Sequence, residues 1–427
     1  MKRLVFSALA VAILIPVMVI ATDLLREPGH KQVSSPLANP GDQAARGAYL
    51  ARAGNCMSCH TARGGQDYAG GRPIATPFGD IYTSNLTPDD ATGLGKWSRD
   101  DFWRAIHNGK SRDGSFLYPA FPYPNYTRVS RADADAMFAY LRTLAPVRQQ
   151  NRQHDLSFPY NQRMLLPLWR ALYFTPGEYQ VEASRTAQWN RGAYLVQGLG
   201  HCSACHTSRN ALGGSVAEHG LGGGMIPMQN WYASALTSDP ATGLGEWEAR
   251  DISDLLKSGT SQRGTVFGPM AEVVSASLQH LSGADIESMA VYLKSVPESE
   301  PGAGTQPVQV GGDVEAVLRQ GAALYEKQCA ACHGANGKGA PPAYPPLAGN
   351  RSLAVPATTN AIRMVLNGGY PPSTEGNPRP YGMPPFGPVL SNSDVAAVVS
   401  YIRSSWGNQS APVSAVDVGR LRGAPMD

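Results

Sequence analysis

The sequence is poor in charge and in catalytic motifs. Asp, Glu, Lys and Arg make up 16% of its 427 residues, compared with about 25% in an average soluble domain. The 36 basic and 33 acidic residues leave a net charge of only +3, so nothing indicates a nucleic-acid partner. We find no G-x-G-x-x-G after a strand, no nucleophile elbow and no catalytic acid pair. Dinucleotide-dependent or hydrolytic chemistry on this chain is therefore not predicted.

Glycine and proline are abundant instead. The chain has 46 Gly and 34 Pro, about a fifth of its length, which predicts a loop-rich protein. Its length alone suggests about three domains of roughly 150 residues each.

The six cysteines fall into three identical patterns. Each reads Cys-x-x-Cys-His, the attachment signature of a c-type haem. Two thiols one helical turn apart form thioethers with the two vinyl groups of one porphyrin, and the adjacent imidazole reaches the iron from the same face. The three copies are Cys56, Cys59 and His60; Cys202, Cys205 and His206; and Cys329, Cys332 and His333. The sequence therefore predicts three covalently bound haem c groups.

Other uses of a Cys-x-x-Cys pair fit less well. A zinc ion takes four ligands, yet these pairs lie more than a hundred residues apart. A disulfide is the alternative in an oxidising compartment. A thioredoxin-like dithiol would occur once and without the histidine. Haem accounts for all three copies.

The haem motifs belong to a longer internal repeat. Arg-Gly-Ala-Tyr-Leu stands at 46–50 and again at 191–195, and a looser copy at 321–325 precedes the third motif. Residues 84–97 return at 234–247, an offset of 150. Amphipathic closing helices are predicted at 133–144, 285–295 and 394–404. We therefore predict an all-α, loop-rich fold of three tandem cytochrome c-type domains.

These patterns also set the segment boundaries. The predicted segments are a signal peptide or membrane anchor at 1–25, cytochrome c domains at 41–147, 186–298 and 314–407, a connector at 148–185, a linker at 299–313 and a polar C-terminal tail at 408–427. The connector carries an apolar run at 164–174, for which packing on a neighbouring domain is favoured over docking to a partner subunit.

The N-terminus has the features of an export element. Lys2 and Arg3 precede 18 uncharged residues at 4–21. That length lies between the apolar core of a signal peptide, about 7–15 residues, and a spanning helix, about 17–25. It slightly favours an uncleaved anchor, and with either element the rest of the chain is exported.

Methionines are the expected sixth iron ligands in the second and third domains. Met270 lies in Phe-Gly-Pro-Met-Ala, 64 residues after His206, and Met383 lies in Tyr-Gly-Met-Pro-Pro, 50 residues after His333. Methionine ligation raises the haem potential relative to a second histidine.

The first domain departs from this pattern. Its corresponding loop carries Phe121, which cannot bind iron. Met137 stands at a core position of the closing helix, His107 aligns with Lys257 at the 150 offset, and His154 lies in the connector. We predict that the first haem is five-coordinate or weakly ligated by a distant histidine.

At this point the sequence resembles a known family. Residues 200–206, 76–79, 84–89, 268–274 and 344–350 are similar to the triheme cytochrome c subunit of bacterial membrane-bound dehydrogenases, which act on alcohols, gluconate, sorbitol, fructose or aldehydes. The resemblance covers roughly residues 40–410. It implies methionine at position 121, where this chain has phenylalanine, and a His333 ring oriented by the carbonyl of Pro346.

The resemblance also implies a function. The chain would relay electrons from a dehydrogenase catalytic subunit with a flavin, quinone (PQQ) or molybdopterin cofactor to ubiquinone or a terminal oxidase, on the periplasmic side of the inner membrane and associated with it. A small subunit is an optional further partner. Two rivals stay open: a free-standing electron carrier without a dedicated catalytic partner, and a peroxidase-like enzyme that uses the ligand-poor first haem.

Overall fold

The computed structural model describes residues 40–216, 220–299 and 314–424. The predicted signal peptide or anchor at 1–25 lies outside the described residues, as does nearly all of the predicted linker at 299–313. Within the described residues, no helix combines the length and the apolar character that crossing a membrane requires.

The chain divides into two compact units. Among the described residues, unit 1 contains 40–183, 194–201 and 211–214, and unit 2 contains 184–193, 202–210, 215–216, 220–299 and 314–424. The first predicted cytochrome c domain falls in unit 1, while nearly all of the second and the whole of the third fall in unit 2.

Helices and loops dominate both units. In the first predicted domain and the connector, the helices are α1 (Pro40–Ala53), α2 (Cys56–Cys59), α3 (Arg99–Asn108), α4 (Tyr123–Tyr126), α5 (Arg131–Leu141) and α6 (Leu166–Tyr173). Around the second motif they are α7 (Ala187–Tyr194), a π-helical turn (Leu195–Leu199), α8 (Ser203–His206), α9 (Ala249–Ser258), α10 (Pro269–Ala276) and α11 (Gly283–Lys294). The remaining helices are α12 (Val314–Gln328), α13 (Ala330–His333), α14 (Arg351–Ala354), α15 (Thr359–Asn367), α16 (Asn392–Ser404) and α17 (Ala415–Arg422).

Short antiparallel hairpins add to the predicted all-α fold. Strands β1 (Pro73–Thr76), β2 (Gly79–Tyr82) and β3 (Asp155–Leu156) form one sheet in that order. The other two hairpins pair β4 (Gly224–Ile226) with β5 (Trp231–Ala233), and β6 (Thr260–Ser261) with β7 (Gly264–Thr265). Strands of two to four residues are too short for an alternating pattern to identify them in a sequence.

The glycine of the repeated Arg-Gly-Ala-Tyr-Leu word lies where an opening helix crosses a closing helix. A Cβ atom added at Gly47 would overlap the backbone carbonyl of Ala136 in α5. The same holds for Gly192 against Ser288 and for Gly321 against Ala397. The repeat therefore preserves a backbone approach that no other residue allows.

A polar contact precedes each crossing. Arg46 donates to the carboxylate of Asp133 at 2.5 and 2.8 Å, and Arg191 donates to Asp285 twice at 2.7 Å. In the third region Gln320 takes the place of the arginine and donates to Asp394 at 2.8 Å. Each aspartate follows an N-cap serine by three residues, and its backbone N–H donates to that serine; the three serines are Ser130, Ser282 and Ser391. One aspartate thus contributes its backbone N–H to the helix start and its carboxylate to the crossing.

The apolar run of the connector packs with one face only. Arg170 is fully buried among the rings of Phe116, Tyr123 and Phe174, at 4.6 to 5.6 Å. On the other face of α6, Leu172 is 61% exposed. Packing on the first domain, as the sequence favoured, therefore accounts for half of this helix.

The predicted C-terminal tail contains a packed helix. Val418 of α17 is fully buried in the core of the third region. Arg422 donates to the carbonyl oxygens of Gly387 at 2.6 Å and Leu390 at 2.7 Å. This part of the tail belongs to the third cytochrome c region.

Candidate haem sites

Each Cys-x-x-Cys-His segment closes one helical turn. In the first segment the backbone N–H of His60 donates to the carbonyl of Cys56 at 3.0 Å. The same bond closes the second and third segments at 2.9 Å. Because this is the i to i+4 bond of an α-helix, each segment forms the single helical turn expected of a haem attachment motif. All six thiols are free of disulfide bonds.

The three histidines share one hydrogen bond. In each, Nδ1 donates to a backbone carbonyl, which fixes the tautomer and leaves the Nε2 lone pair for a metal. The bonds run from His60 to Ser84 at 2.7 Å, from His206 to Ser234 at 2.7 Å and from His333 to Pro345 at 3.0 Å. Assigning the proton to Nδ1 follows from its partner, since a carbonyl oxygen only accepts.

The surroundings of these imidazoles keep them neutral. Burial lowers the pKa of His206 to about 4, against the bond to Ser234, which raises it. Burial lowers the pKa of His60 and of His333 in the same way. Only the neutral imidazole can ligate iron, so the sites are suited to that role.

The carbonyl that orients His333 differs from the one expected. The resemblance implied Pro346, but Nδ1 of His333 bonds to Pro345, and the carbonyl of Pro346 accepts from Asn350 at 2.9 Å instead. Asn350 is the N-cap of α14: its Oδ1 accepts the backbone N–H of Ser352, and its side-chain N–H donates to the carbonyl of Pro346.

Three glycines bond to the backbone of the three motif histidines, and the sequence analysis did not identify them. The carbonyls of His60, His206 and His333 accept backbone N–H groups from Gly70, Gly223 and Gly339, at 2.7 to 2.9 Å. All three glycines have positive φ, and a Cβ at Gly70 would overlap the carbonyl of Ser84, the acceptor for His60. Their spacings from the histidines are 10, 17 and 6 residues, so the repeat gave no signal for them.

The thiol environment disfavours a redox or zinc role. Burial raises the pKa of Cys56 and of Cys202 to about 12, and that of Cys329 to about 11. Reactive dithiols have lowered thiol pKa values instead. Across the described part of the chain, no group of three or more His, Cys, Asp or Glu side chains gathers as a metal-ion site. The free thiols and oriented imidazoles fit covalent haem.

The structure brings Met383 to the third haem motif. Met383 exchanges two backbone hydrogen bonds with Gly369, at 2.8 and 3.0 Å. Its half-buried side chain packs on the same apolar cluster as Cys329 and Leu347. This places the predicted ligand loop and the haem motif around one core.

Met270 and Phe121 occupy different local structures. Met270 is half-buried in the first turn of α10. Phe121 is half-buried in the loop before α4, with its ring 5.4 Å from that of Tyr126 and 6.5 Å from that of Tyr123. An aromatic cluster thus stands where the family resemblance implies a methionine.

The alternative ligands of the first region have other roles. Met137 is 3% exposed in α5, and His107 is 4% exposed and stacks on Trp103 at 4.4 Å. Nδ1 of His154 accepts the backbone N–H of Tyr82 at 3.2 Å. His154 in its neutral form is therefore protonated at Nε2, the opposite tautomer from the three haem histidines.

His201 has the tautomer that His154 lacks. Its Nδ1 donates to the carbonyl of Leu199 at 2.8 Å, so Nε2 carries a lone pair. Its ring meets the edge of Tyr126 at 5.5 Å, and the Tyr126 hydroxyl donates to the carbonyl of Gly54 at 2.8 Å. The sequence analysis did not consider this histidine as a ligand for the first haem. It directly precedes Cys202 of the second motif, and no sequence pattern links it to the first region.

Comparison with known proteins identifies the family of this chain. The cytochrome c family model matches residues 44–145 and 318–406. The gluconate 2-dehydrogenase cytochrome c subunit of Pantoea cypripedii is 42% identical over 395 residues, which cover 88% of this chain and 89% of that protein. The chain belongs to the cytochrome c subunits of bacterial dehydrogenases. Its family role is electron transfer.

Two further members of this family align over similar lengths. The cytochrome c subunit of the quinone-type alcohol dehydrogenase of Gluconobacter oxydans is 40% identical over 401 residues, covering 89% of this chain and 83% of that protein. The fructose dehydrogenase cytochrome subunit of Gluconobacter japonicus is 35% identical over 403 residues, covering 88% and 82%. These members serve dehydrogenases of different substrates, so the family does not indicate one donor.

Proposed function

We propose that this chain holds three covalent haem c groups and relays electrons from a dehydrogenase catalytic subunit to the respiratory chain. The donor subunit carries a flavin, PQQ or molybdopterin, and the acceptor is ubiquinone or a terminal oxidase. The relay lies on the periplasmic side of the inner membrane. The observation that carries the proposal is the same histidine geometry at all three motifs, each Nδ1 within 3.0 Å of a backbone carbonyl.

The protein's part in the relay is attachment and orientation. Each pair of thiols would anchor one porphyrin, and each histidine would present Nε2 to the iron while its Nδ1 keeps its proton and donates it in a hydrogen bond to the backbone carbonyl. Haem supplies reversible one-electron chemistry when bound. The glycine turns at Gly70, Gly223 and Gly339 hold the histidine backbone in place. No acid or base catalysis is required of the chain.

Met270 and Met383 complete two of the three iron sites in this proposal. Both are half-buried, which suits a thioether that must be held near iron yet open to the cofactor. Thioether ligation keeps a haem potential high. Two six-coordinate haems of this kind suit outer-sphere electron transfer.

The first iron site is five-coordinate or weakly ligated in this proposal. Phe121 removes the expected thioether, and the Nδ1 of His154 is already engaged as an acceptor. His201 is the histidine whose tautomer permits weak ligation. An open or labile site binds small neutral ligands such as carbon monoxide when the iron is ferrous.

The export proposal draws on chemistry and on residues 1–25. Haem c is attached outside the cytoplasm, and Lys2 and Arg3 ahead of an uncharged run are typical of an exported chain. Fractionation of cells that express the full chain tests this: haem staining belongs with the membrane fraction on the periplasmic side.

Haem counting and partner capture test the function. Mass spectrometry of the mature chain is expected to give the polypeptide plus three haem masses, and full-length protein is expected to co-purify with a dehydrogenase large subunit. Addition of that enzyme's substrate then reduces all three haems. Fewer than three haems, or reduction by no dehydrogenase of the host, contradicts the proposal.

A further inference from the structure

The third cytochrome c region supports the backbone that orients His206. The carbonyl of Ser234 accepts the Nδ1 proton of His206 at 2.7 Å. Two residues before Ser234, Tyr232 exchanges two backbone hydrogen bonds with the side chain of Asn360 in α15, both at 2.8 Å. Directly after Ser234, the carbonyl of Ala235 accepts from Nη1 of Arg351 at 2.5 Å. Side chains from the third region thus hold this segment on both sides of the critical carbonyl.

Arg351 brings a positive charge to the same place. Its guanidinium lies 4.9 Å over the ring of Trp247, which is 7% exposed. The charge is near enough to His206 to lower the pKa of that imidazole, and burial lowers the pKa of Arg351 itself to about 10. Within the described residues no carboxylate forms an ion pair with Arg351.

A half-buried cation without a counter-charge is costly for folding. Such a charge acts on any redox group beside it, because reduction of a ferric haem adds one negative charge. A neighbouring guanidinium favours the ferrous form and so raises the reduction potential. The first region holds the equivalent segment differently: Asn85 stands at the position of Ala235, and its backbone N–H donates to the side chain of Asn151 at 2.8 Å.

We propose that Arg351, contributed by the third region, raises the reduction potential of the haem held by Cys202, Cys205 and His206. This inference rests on the proposed function, because it requires a haem at the second motif. Arg351 is a positioning and tuning residue here, since it contacts the backbone beside the ligand's acceptor rather than the iron. The second haem would thus become the better electron acceptor only when the third region is in place.

A redox titration of the full-length protein tests the proposal. The titration of wild-type protein is expected to show three steps, one for each haem. In Arg351→Gln, the midpoint potential of one step is expected to fall by about 59 mV, which is a tenfold change in the ratio of oxidised to reduced haem for a one-electron couple. Met270→Phe is expected to change the midpoint potential of the same step, which identifies that step as the second haem. Arg351→Lys keeps the charge and is expected to retain most of the wild-type potential. Arg250→Gln removes an exposed charge from α9 of the second region and is expected to leave all three potentials unchanged.

A second pair of variants separates charge from structure. Asn360→Ala loosens the same segment without changing its charge, so it is expected to lower the unfolding temperature and leave the potential unchanged. Arg351→His gives one step that shifts with pH as the imidazole loses its proton, within a single folded protein. The proposal is overturned if no step moves in Arg351→Gln, if all three move equally, or if Asn360→Ala gives the same shift. A wild-type protein with fewer than three haems would instead overturn the proposed function.

Discussion

The first and second predicted cytochrome c regions are built on the same frame but differ in the loop predicted to face the iron. The carbonyls of Ser84 and Ser234, 150 residues apart, accept the histidine protons at the same distance of 2.7 Å. Asp89 and Asp239 close the following turns with the same bonds to Thr92 and Thr242. Yet Phe121 stands in one ligand loop and Met270 in the other. The side of the site that holds the histidine has been kept, while the opposite side has diverged.

The two regions also use one position of their α-helices differently. His107 of α3 is buried against Trp103, whereas Lys257 of α9 donates to the carbonyls of Gln279 at 2.6 Å and Leu281 at 2.5 Å. In the second region that lysine fixes the chain that follows α10, the helix with Met270. The first region places an aromatic cluster in its ligand loop instead. The difference therefore extends beyond one substitution.

Exchanging the two ligand residues tests this comparison most strongly. The ferrous wild-type protein is expected to bind carbon monoxide at one haem of three. Phe121→Met is expected to abolish that binding because a thioether fills the open position, and Met270→Phe is expected to raise it to two haems. Absorption spectra during carbon monoxide titration provide the count. Met137→Leu, at a buried methionine of α5, serves as control and leaves the count at one. A wild-type protein that binds no carbon monoxide would contradict an open or labile first haem.

The absorption spectrum without carbon monoxide distinguishes an open first haem site from a weakly ligated one. If Nε2 of His201 occupies the first iron, His201→Ala will convert that haem from a low-spin to a high-spin spectrum. If the site is open, the spectrum will not change. His154→Ala is the matched control, because its Nδ1 accepts the Tyr82 N–H.

The sequence was sufficient to predict the chemistry of the motifs and the helices that frame them. The predicted closing helices at 133–144, 285–295 and 394–404 agree with α5, α11 and α16 to within about three residues. Local signals carried these predictions, since cap residues and haem motifs lie within a few positions of the structure they specify. The membership in a cytochrome c family is confirmed.

What the sequence could not supply were contacts between distant segments. His333 bonds to the carbonyl of Pro345, while the carbonyl of Pro346 accepts from the side chain of Asn350. The hydrogen bonds of Arg351 and Asn360 to residues 232–235 join segments more than a hundred positions apart. No periodicity or motif records such pairings, because they are set by tertiary packing.

The glycines at the helix crossings are common to both regions, so their substitution is expected to reduce stability by similar amounts in both. Gly47→Ala and Gly192→Ala each place a Cβ on a backbone carbonyl, and we expect each to lower the free energy of unfolding by about 1–3 kcal/mol. Gly283→Ala is the control, since its Cβ would meet no atom within 4 Å. Thermal unfolding followed by circular dichroism measures all three. Equal stability of Gly47→Ala and wild type would show that the helices do not cross this closely.

The carboxylates beside these glycines should differ between the regions. Asp133 accepts from Arg46 and from the hydroxyl of Tyr194 at 2.6 Å, and its side chain is 3% exposed; that of Asp285 is 12% exposed. Burial and the neighbouring Asp133 raise the pKa of Tyr194, so this hydroxyl stays a donor. We expect Asp133→Asn to cost about 2 kcal/mol and Asp285→Asn about 1 kcal/mol, measured by chemical unfolding. The reverse order would mean that the contact to Tyr194 contributes nothing.

The smallest expected difference is the pH dependence that His154 adds to the stability of the first region. Burial, with a smaller effect from Arg163, lowers the pKa of His154 below its usual 6.5. The unfolded chain therefore takes up this proton more readily than the folded chain, and stability that is complete above pH 6.5 is lost as the pH falls below it. His154→Asn should reduce the fall in unfolding temperature between about pH 7.5 and about pH 5. His280→Asn, at an exposed histidine of the second region, should leave that fall unchanged. If both variants behave alike, the contact of His154 with Tyr82 does not depend on its protonation.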